Sequence, residues 1–385
     1  MTRTEKLLAE LIALPSVNPA FLSSADAAER PVGVAHPRGG EQRVVDFLAA
    51  TAARAGLEIE LQKALPGRPN LLVRLTPRNK IRRTILLAPH LDTVVAEDSQ
   101  FFPRRKNGRL YGRGACDTKG SVSAMFTALC ELAESKSRPV ETEIVFVGLV
   151  DEEHAQGGSR ALAKSGFKAD FAIVGEPTRL QVVTAHKGSL WLELETHGKA
   201  AHGATPQLGK NAVHEMACIV DWLQTDYAAR LKKRKHSLLG HATVNVGVIC
   251  GGTQANIVPE HCTITIDRRT LPGETEAGVK RELMNFLRSK NLSARIADKK
   301  LAPAWPLETD IRLPLVKQFM QSVGQTKSVG VNFFCDAAVL AAAGIPSVAF
   351  GPGDIAQAHT ADEWISLKSL ERGKDLILRF LNSLP

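Results

Sequence analysis

The chain has 385 residues, of which 44% are apolar and 23% charged, and 49 Lys+Arg against 40 Asp+Glu leave a formal net charge of +9. These proportions exclude a disordered or collagenous chain, and the length favours two domains over one. The six cysteines (Cys116, Cys130, Cys218, Cys250, Cys262 and Cys335) are scattered and form no C-x-x-C pair, so a reduced cytoplasmic location is expected rather than a disulfide framework.

The opening MTRTEKLLAELIALPSVNP predicts an amphipathic helix stopped before Pro15, not a signal peptide, because a Glu interrupts its apolar patch and no small-residue cleavage pattern follows. Residues 20–41, rich in Gly, Pro, Ser and His, predict a long loop. Helical spacing follows over 44–55, then strands over 58–62, 70–75 and 84–88. The stretch LLAPHLD (86–92) is an apolar run that ends in Pro89 and releases His90 and Asp92 together. A metal-binding histidine needs its second ring nitrogen held, and His90 with Asp92 offers that pairing. A histidine bonded within a turn is the plainer alternative. The glycine-punctuated 108–115 lacks the Walker pattern and is no phosphate loop. Asp117 precedes a helix from Gly120, where capping is an aspartate's ordinary role.

The β-branched run 143–150 predicts a central buried strand, ending in Asp151, Glu152 and Glu153. Adjacent carboxylates at a buried strand end repel one another unless a cation sits among them. A short helix over 159–165 and a strand over 171–174 follow, the latter ending at Glu176. Acids and a histidine thus recur at strand ends, where sites of open α/β sheets gather. Near Val183 the texture changes to alternating apolar and polar residues. Strands over 188–196, 243–249, 262–268 and 293–297, with helices over 211–226 and 276–290, predict a βαββαβ module of α+β type. Helices over 313–322, 337–343 and 366–381 and a strand over 347–350 then resume the first domain. The expected domains are 1–183 and 299–385 around an insertion, 184–298.

The basic runs 103–106 (PRRK) and 230–236 (RLKKRKH) have no interleaved aromatics, so solvated helix ends or loops are expected, with neither nucleic acid nor membrane as partner. No apolar run approaches bilayer length. His36, His154, His186, His197, His214, His236, His241 and His261 are read as surface or packing residues, His186 being the least settled.

Six stretches, PHLDTV, GRGACDTKGSVSA, DEEHAQGGS, VGEPT, HGATPQLGKNA and AHTADEWI, resemble the successive motifs of the M20 family of metallopeptidases, in order and in register. The resemblance implies an α/β fold: a split catalytic domain with a mixed central sheet flanked by helices, plus an inserted α+β lid that forms a homodimer. It implies two zinc ions, with cobalt or manganese as substitutes. His90 and Glu176 would ligate one, Glu153 and His359 the other, and Asp117 would bridge them. Glu152 would be the general base for a metal-activated water, with Asp92 orienting His90. A cis peptide bond after Asp117 is implied as well. His202 matches a lid histidine that reaches the partner's site and steadies the oxyanion, although a loop cap is its plainer role. Asn256, otherwise a turn residue, and Arg269, chosen over Arg268 by its distance from Pro272, match positions that hold a substrate carboxylate. Gly351 and Gly353 would offer backbone N–H groups.

Departures are Pro89 for the usual Gly, Ala96 for a common Pro, and Cys335 where Ser or Thr precedes the acid. All three leave every ligand in place, and the last two bear on the acyl or amine pocket. Motif texture is nearest the acetylornithine deacetylase and succinyl-diaminopimelate desuccinylase branch, so an N-acyl amino acid is the expected substrate. A dipeptidase or glutamate carboxypeptidase is the alternative, and a non-enzymatic binding module a distant third.

Overall fold

The computed structural model describes residues 1–22, 39–297 and 302–385. Most of the predicted 20–41 loop, and His36 with it, lies outside these residues, as does the expected 298/299 boundary. Two compact units emerge: Met1–Thr184 with Thr309–Val329 and Cys335–Pro385, and Ala185–Glu308 with Gly330–Phe334. Leu307 and Glu308 still pair with His186 and Ala185, which is why the first unit resumes only at Thr309.

The first unit is built on a mixed sheet. Strand Arg83–Pro89 lies parallel to Thr142–Gly148 on one side and to Phe171–Gly175 on the other. Ser347–Ala349 extends the parallel set beyond Phe171–Gly175. Arg68–Leu75 and Glu58–Leu65 add an antiparallel edge. Continuous apolar runs suit these central strands because helices cover both faces. Leu71, Val73, Ile85, Leu87, Ile144, Phe146, Phe171 and Ile173 pack into one core with helices Arg3–Ile12, Gln42–Arg54, Lys119–Glu134, Pro314–Val323 and Leu367–Asn382. On the other face, helices Gly157–Lys164 and Ala337–Ala342 pack on each other and on the sheet. A three-stranded sheet missed by the sequence reading joins Arg104–Lys106, Arg109–Tyr111 and Trp364–Ser366.

The second unit is the α+β module. Its four-stranded antiparallel sheet has Thr243–Gly251 at one edge, then His261–Thr270, Gly188–His197 and Arg295–Ile296. The predicted strand over 293–297 shrinks to those last two residues. Leu190, Leu192, Leu194, Ile264 and Ile266 turn one face towards helices Ala212–Trp222 and Glu276–Ser289. The predicted 211–226 helix runs on through a π-helical turn, Leu223–Tyr227, into Ala228–Lys232. Part of the basic run is this exposed helix end, and its Arg234 pairs with Glu282 at 2.8 Å.

Candidate metal centre

Three neighbouring parallel strands deliver polar residues just past their carboxyl ends. His90 follows Pro89, Glu152 and Glu153 follow the strand ending at Gly148, and Glu176 follows Gly175. Strand alternation would aim two adjacent glutamates to opposite sides. The strand instead stops early, and Asp151 takes a left-handed backbone (φ 67°), rare for a non-glycine residue. Both glutamate N–H groups then donate to one carboxylate, Glu152 to Asp92 Oδ1 and Glu153 to Asp92 Oδ2, each at 3.1 Å.

Asp117 lies just before helix Lys119–Glu134, but it is not the cap; Thr118 occupies that position. The bond between Asp117 and Thr118 is cis. The Asp117 carboxylate is shared by two histidines, Oδ1 with His90 Nε2 at 3.2 Å and Oδ2 with His359 Nε2 at 3.4 Å. His359, itself in a left-handed conformation (φ 62°), also meets Glu153 Oε2 at 3.1 Å. His90 Nδ1 lies 3.0 Å from the backbone carbonyl of Asp92, which accepts its proton and leaves Nε2 to face Asp117. The Asp92 carboxylate is farther, 3.5 Å from Nδ1. Its main work is to receive the Glu152 and Glu153 amides.

Burial pushes the carboxyls of Glu152 and Glu176 well above the ordinary range, and neighbouring acids add to the shift. Burial and Asp117 raise Glu153 to about 7. Hydrogen bonds to Asp117 and Glu153 raise His359 to about 10. Glu176 is buried, and its Oε1 has no hydrogen-bond partner. A cluster so rich in acid, with a buried oxygen left over, calls for added positive charge. Carboxylate and imidazole donors suit a borderline divalent cation. His90, Asp117 and Glu153 present ligand atoms all within 4.8 Å of one another. The residues therefore fit a metal. Glu195, His197 and His261 form a second such group in the other unit. There Arg295 already supplies the cation, 2.5 Å from His197 Nε2 and 3.7 Å from Glu195.

Two expected donors fare differently. The N–H of Gly351 is already given to Thr178 Oγ1 at 3.1 Å, so it is not a substrate donor. Glycine is required there by packing instead, since a Cβ would lie 2.6 Å from the Glu176 carbonyl. Gly353 keeps a looser contact, 3.5 Å from Ser369 Oγ. In the second unit, His202 Nδ1 accepts the Ala204 N–H at 3.0 Å, and Gly203 N–H donates to the Asn256 carbonyl at 2.8 Å. Arg268 is fully buried and paired with Glu274, whereas Arg269 stands on the other face of the strand, its Nε 2.9 Å from Asp267. His186, the least settled histidine, is buried.

Two buried polar residues escaped the sequence reading. Glu363 accepts the N–H groups of Gly114, Cys116 and Asp117 and the guanidinium of Arg113. Asn18 donates to both Asp92 and Asp151. The only sequence hints were an acid inside ADEWI and an amide inside SVNP.

A sequence model of Peptidase family M20/M25/M40 matches residues 86–383. Acetylornithine deacetylase of Proteus mirabilis is 30% identical over 395 residues, covering 97% of this chain and 94% of that one. The enzyme of the same name from Myxococcus xanthus is 30% identical over 353 residues, covering 87% and 90%. Among solved structures, a tripeptidase from Staphylococcus aureus superposes with a TM-score of 0.77 at 20% identity, over 99% of this chain and 97% of that one. An M20 family metallo-carboxypeptidase from Sulfolobus solfataricus gives 0.75 at 20% identity, over 99% of both.

Proposed function

Since the chain belongs to peptidase family M20/M25/M40 and is a hydrolase of amide or peptide bonds, we propose that its substrate is an N-acyl amino acid. The acetylornithine deacetylases similar to it along nearly their whole length support this choice. The observation that carries the mechanism is the shared carboxylate of Asp117, with a histidine on each oxygen and Glu153 on the far side of one of them. On this reading His90 and Glu176 would hold one zinc ion, Glu153 and His359 a second, and Asp117 would serve both. Bound there, the ions supply Lewis acidity towards the scissile carbonyl and lower the pKa of a water.

The remaining roles fall to side chains. Glu152 is not a ligand in this scheme. Its carboxylate takes the water proton and passes it to the leaving nitrogen. Asp92 fixes the turn that carries it. In the second unit, which we assign as lid and homodimer surface, His202 accepts at Nδ1, so its neutral ring carries the proton on Nε2 and can donate to an oxyanion. Arg269 and Asn256 receive the substrate carboxylate, the guanidinium as a two-pronged donor.

The test is metal content with a substrate panel. Purified protein should carry about two zinc equivalents by elemental analysis, and chelation should abolish hydrolysis of N-acetyl or N-succinyl amino acids. Turnover confined to dipeptides or C-terminal glutamyl substrates would move the assignment to a dipeptidase or carboxypeptidase. Hydrolysis untouched by exhaustive chelation would overturn the metal reading itself. The same panel run with cobalt and manganese identifies the effective ion.

A further inference from the structure

Behind the centre lies a hydrogen-bonded chain of buried and half-buried side chains, of which the mechanism above uses only Asp92. Asn18 is fully buried. Its Nδ2 donates to Asp92 Oδ2 at 2.7 Å and to Asp151 Oδ1 at 3.0 Å, while its Oδ1 accepts the Ala20 N–H at 3.1 Å. The amide orientation is thereby fixed, because a carbonyl turned towards two carboxylates would be repelled. Asp151 Oδ1 also receives Arg68 Nη1 at 3.0 Å. The other edge of that guanidinium grips Glu41 with Nε at 2.8 Å and Nη2 at 2.6 Å. Glu41 Oε1 closes the loop by accepting the Asp151 N–H at 3.1 Å.

Three buried acids, Glu41, Asp92 and Asp151, thus converge on one amide and one guanidinium. Asp92 and Asp151 bracket the turn that presents Glu152 and Glu153. One receives the amides of both glutamates, and the other supplies the left-handed residue before them. Without the Asn18 amide, two carboxylates would face each other undamped in a low-dielectric interior. They would separate, and the Glu152–Glu153 turn would move with them.

We propose that Asn18 and Arg68 are positioning residues that set the affinity of the metal centre by pinning Asp92 and Asp151 around the Glu152–Glu153 turn. This rests on the metal-dependent reading above. Neither residue hydrogen-bonds a proposed ligand side chain: Asn18 acts through both aspartates, Arg68 through Asp151 and Glu41. Supporting groups behind a ligand typically change metal affinity by about 10–100-fold when removed.

The experiment measures zinc affinity by competition with a chromogenic chelator for the full chain and for Asn18→Ala, Arg68→Met and the double variant. Circular dichroism checks that each folds, and Asn18→Ser replaces Asn18→Ala should that variant not fold. Each single variant should bind zinc about 10–100-fold more weakly. The double variant should be no weaker than the worse single one, because both cut the same chain. In the same samples, kcat should fall while KM holds, and Arg68→Lys, which keeps the charge without the fork, should recover part of the loss. Folded variants that bind zinc as tightly as the unaltered chain would overturn the inference. An unaltered chain that takes up no zinc would overturn the metal reading, and this inference with it.

Discussion

Glu363 Oε1 accepts the backbone N–H of Asp117 at 3.0 Å, although 246 residues separate the two in sequence. The same carboxylate takes Cys116 N–H at 2.8 Å, and its other oxygen takes Gly114 N–H at 3.0 Å and Arg113 Nη1 at 2.7 Å. The loop that presents Asp117 is wrapped around one buried acid. Glu363→Ala would leave Arg113, 4% exposed, without its charge partner. We expect a stability loss of about 3–5 kcal/mol, read from the urea midpoint. A change under about 1 kcal/mol would show that the loop holds itself.

Glu152→Gln keeps the size of the side chain and removes its ability to take a proton. Zinc content should remain that of the unaltered protein while kcat falls by about 10²–10⁴-fold. The outcome that counts against Glu152 as base is full turnover with bound metal.

His202→Ala should lower kcat by about 10²–10³-fold and leave metal content and fold unchanged, since the residue lies in the other unit from the ligands. A purely structural loop cap would instead show as a lower melting temperature at constant kcat.

His186 supplies a pH test away from the metal centre. Burial pushes its pKa down to about 4, and Nδ1 donates to the Lys187 carbonyl at 2.9 Å. The unfolded chain takes up this proton from about pH 6.5 downwards, whereas the folded one waits until about pH 4. Below pH 6.5 the unfolded state binds more protons, so stability drops as pH falls through that window, by on the order of 3 kcal/mol in full. His186→Asn retains a donor for Lys187 and does not titrate. Its urea midpoint should decline less between pH 7 and pH 5 than that of the unaltered chain. Parallel declines would remove His186 from the acid response.

Much of the first unit could be read from sequence because its central strands are buried on both sides and so appear as unbroken apolar runs, as in Thr142–Gly148. The module of the second unit was legible from alternation in Gly188–His197 and from the helical period of Glu276–Ser289. Two-residue strands such as Lys235–His236, Gly240–His241 and Leu307–Glu308 are too short to show a period, and they were missed. The candidate ligands stood out because histidines and acids at strand ends are costly without a purpose. Their supports did not. Asn18 and Glu363 look like ordinary polar residues until the fold brings in partners 74 and 246 residues away. Gly351 shows the opposite failure. Its place in a glycine turn suggested a free amide, but Thr178 had already taken it.

The order of the chain has a consequence for biosynthesis. His90, Asp117, Glu153 and Glu176 emerge from the ribosome early, whereas His359 and Glu363 follow only after Ala185–Glu308 has been made. Until then, the loop bearing Asp117 lacks both its anchoring acid and its second histidine. A chain halted within Ala185–Glu308 would present Asp117 without His359 and without the acid that anchors its loop, so the cluster cannot close until the residues beyond that module have been made.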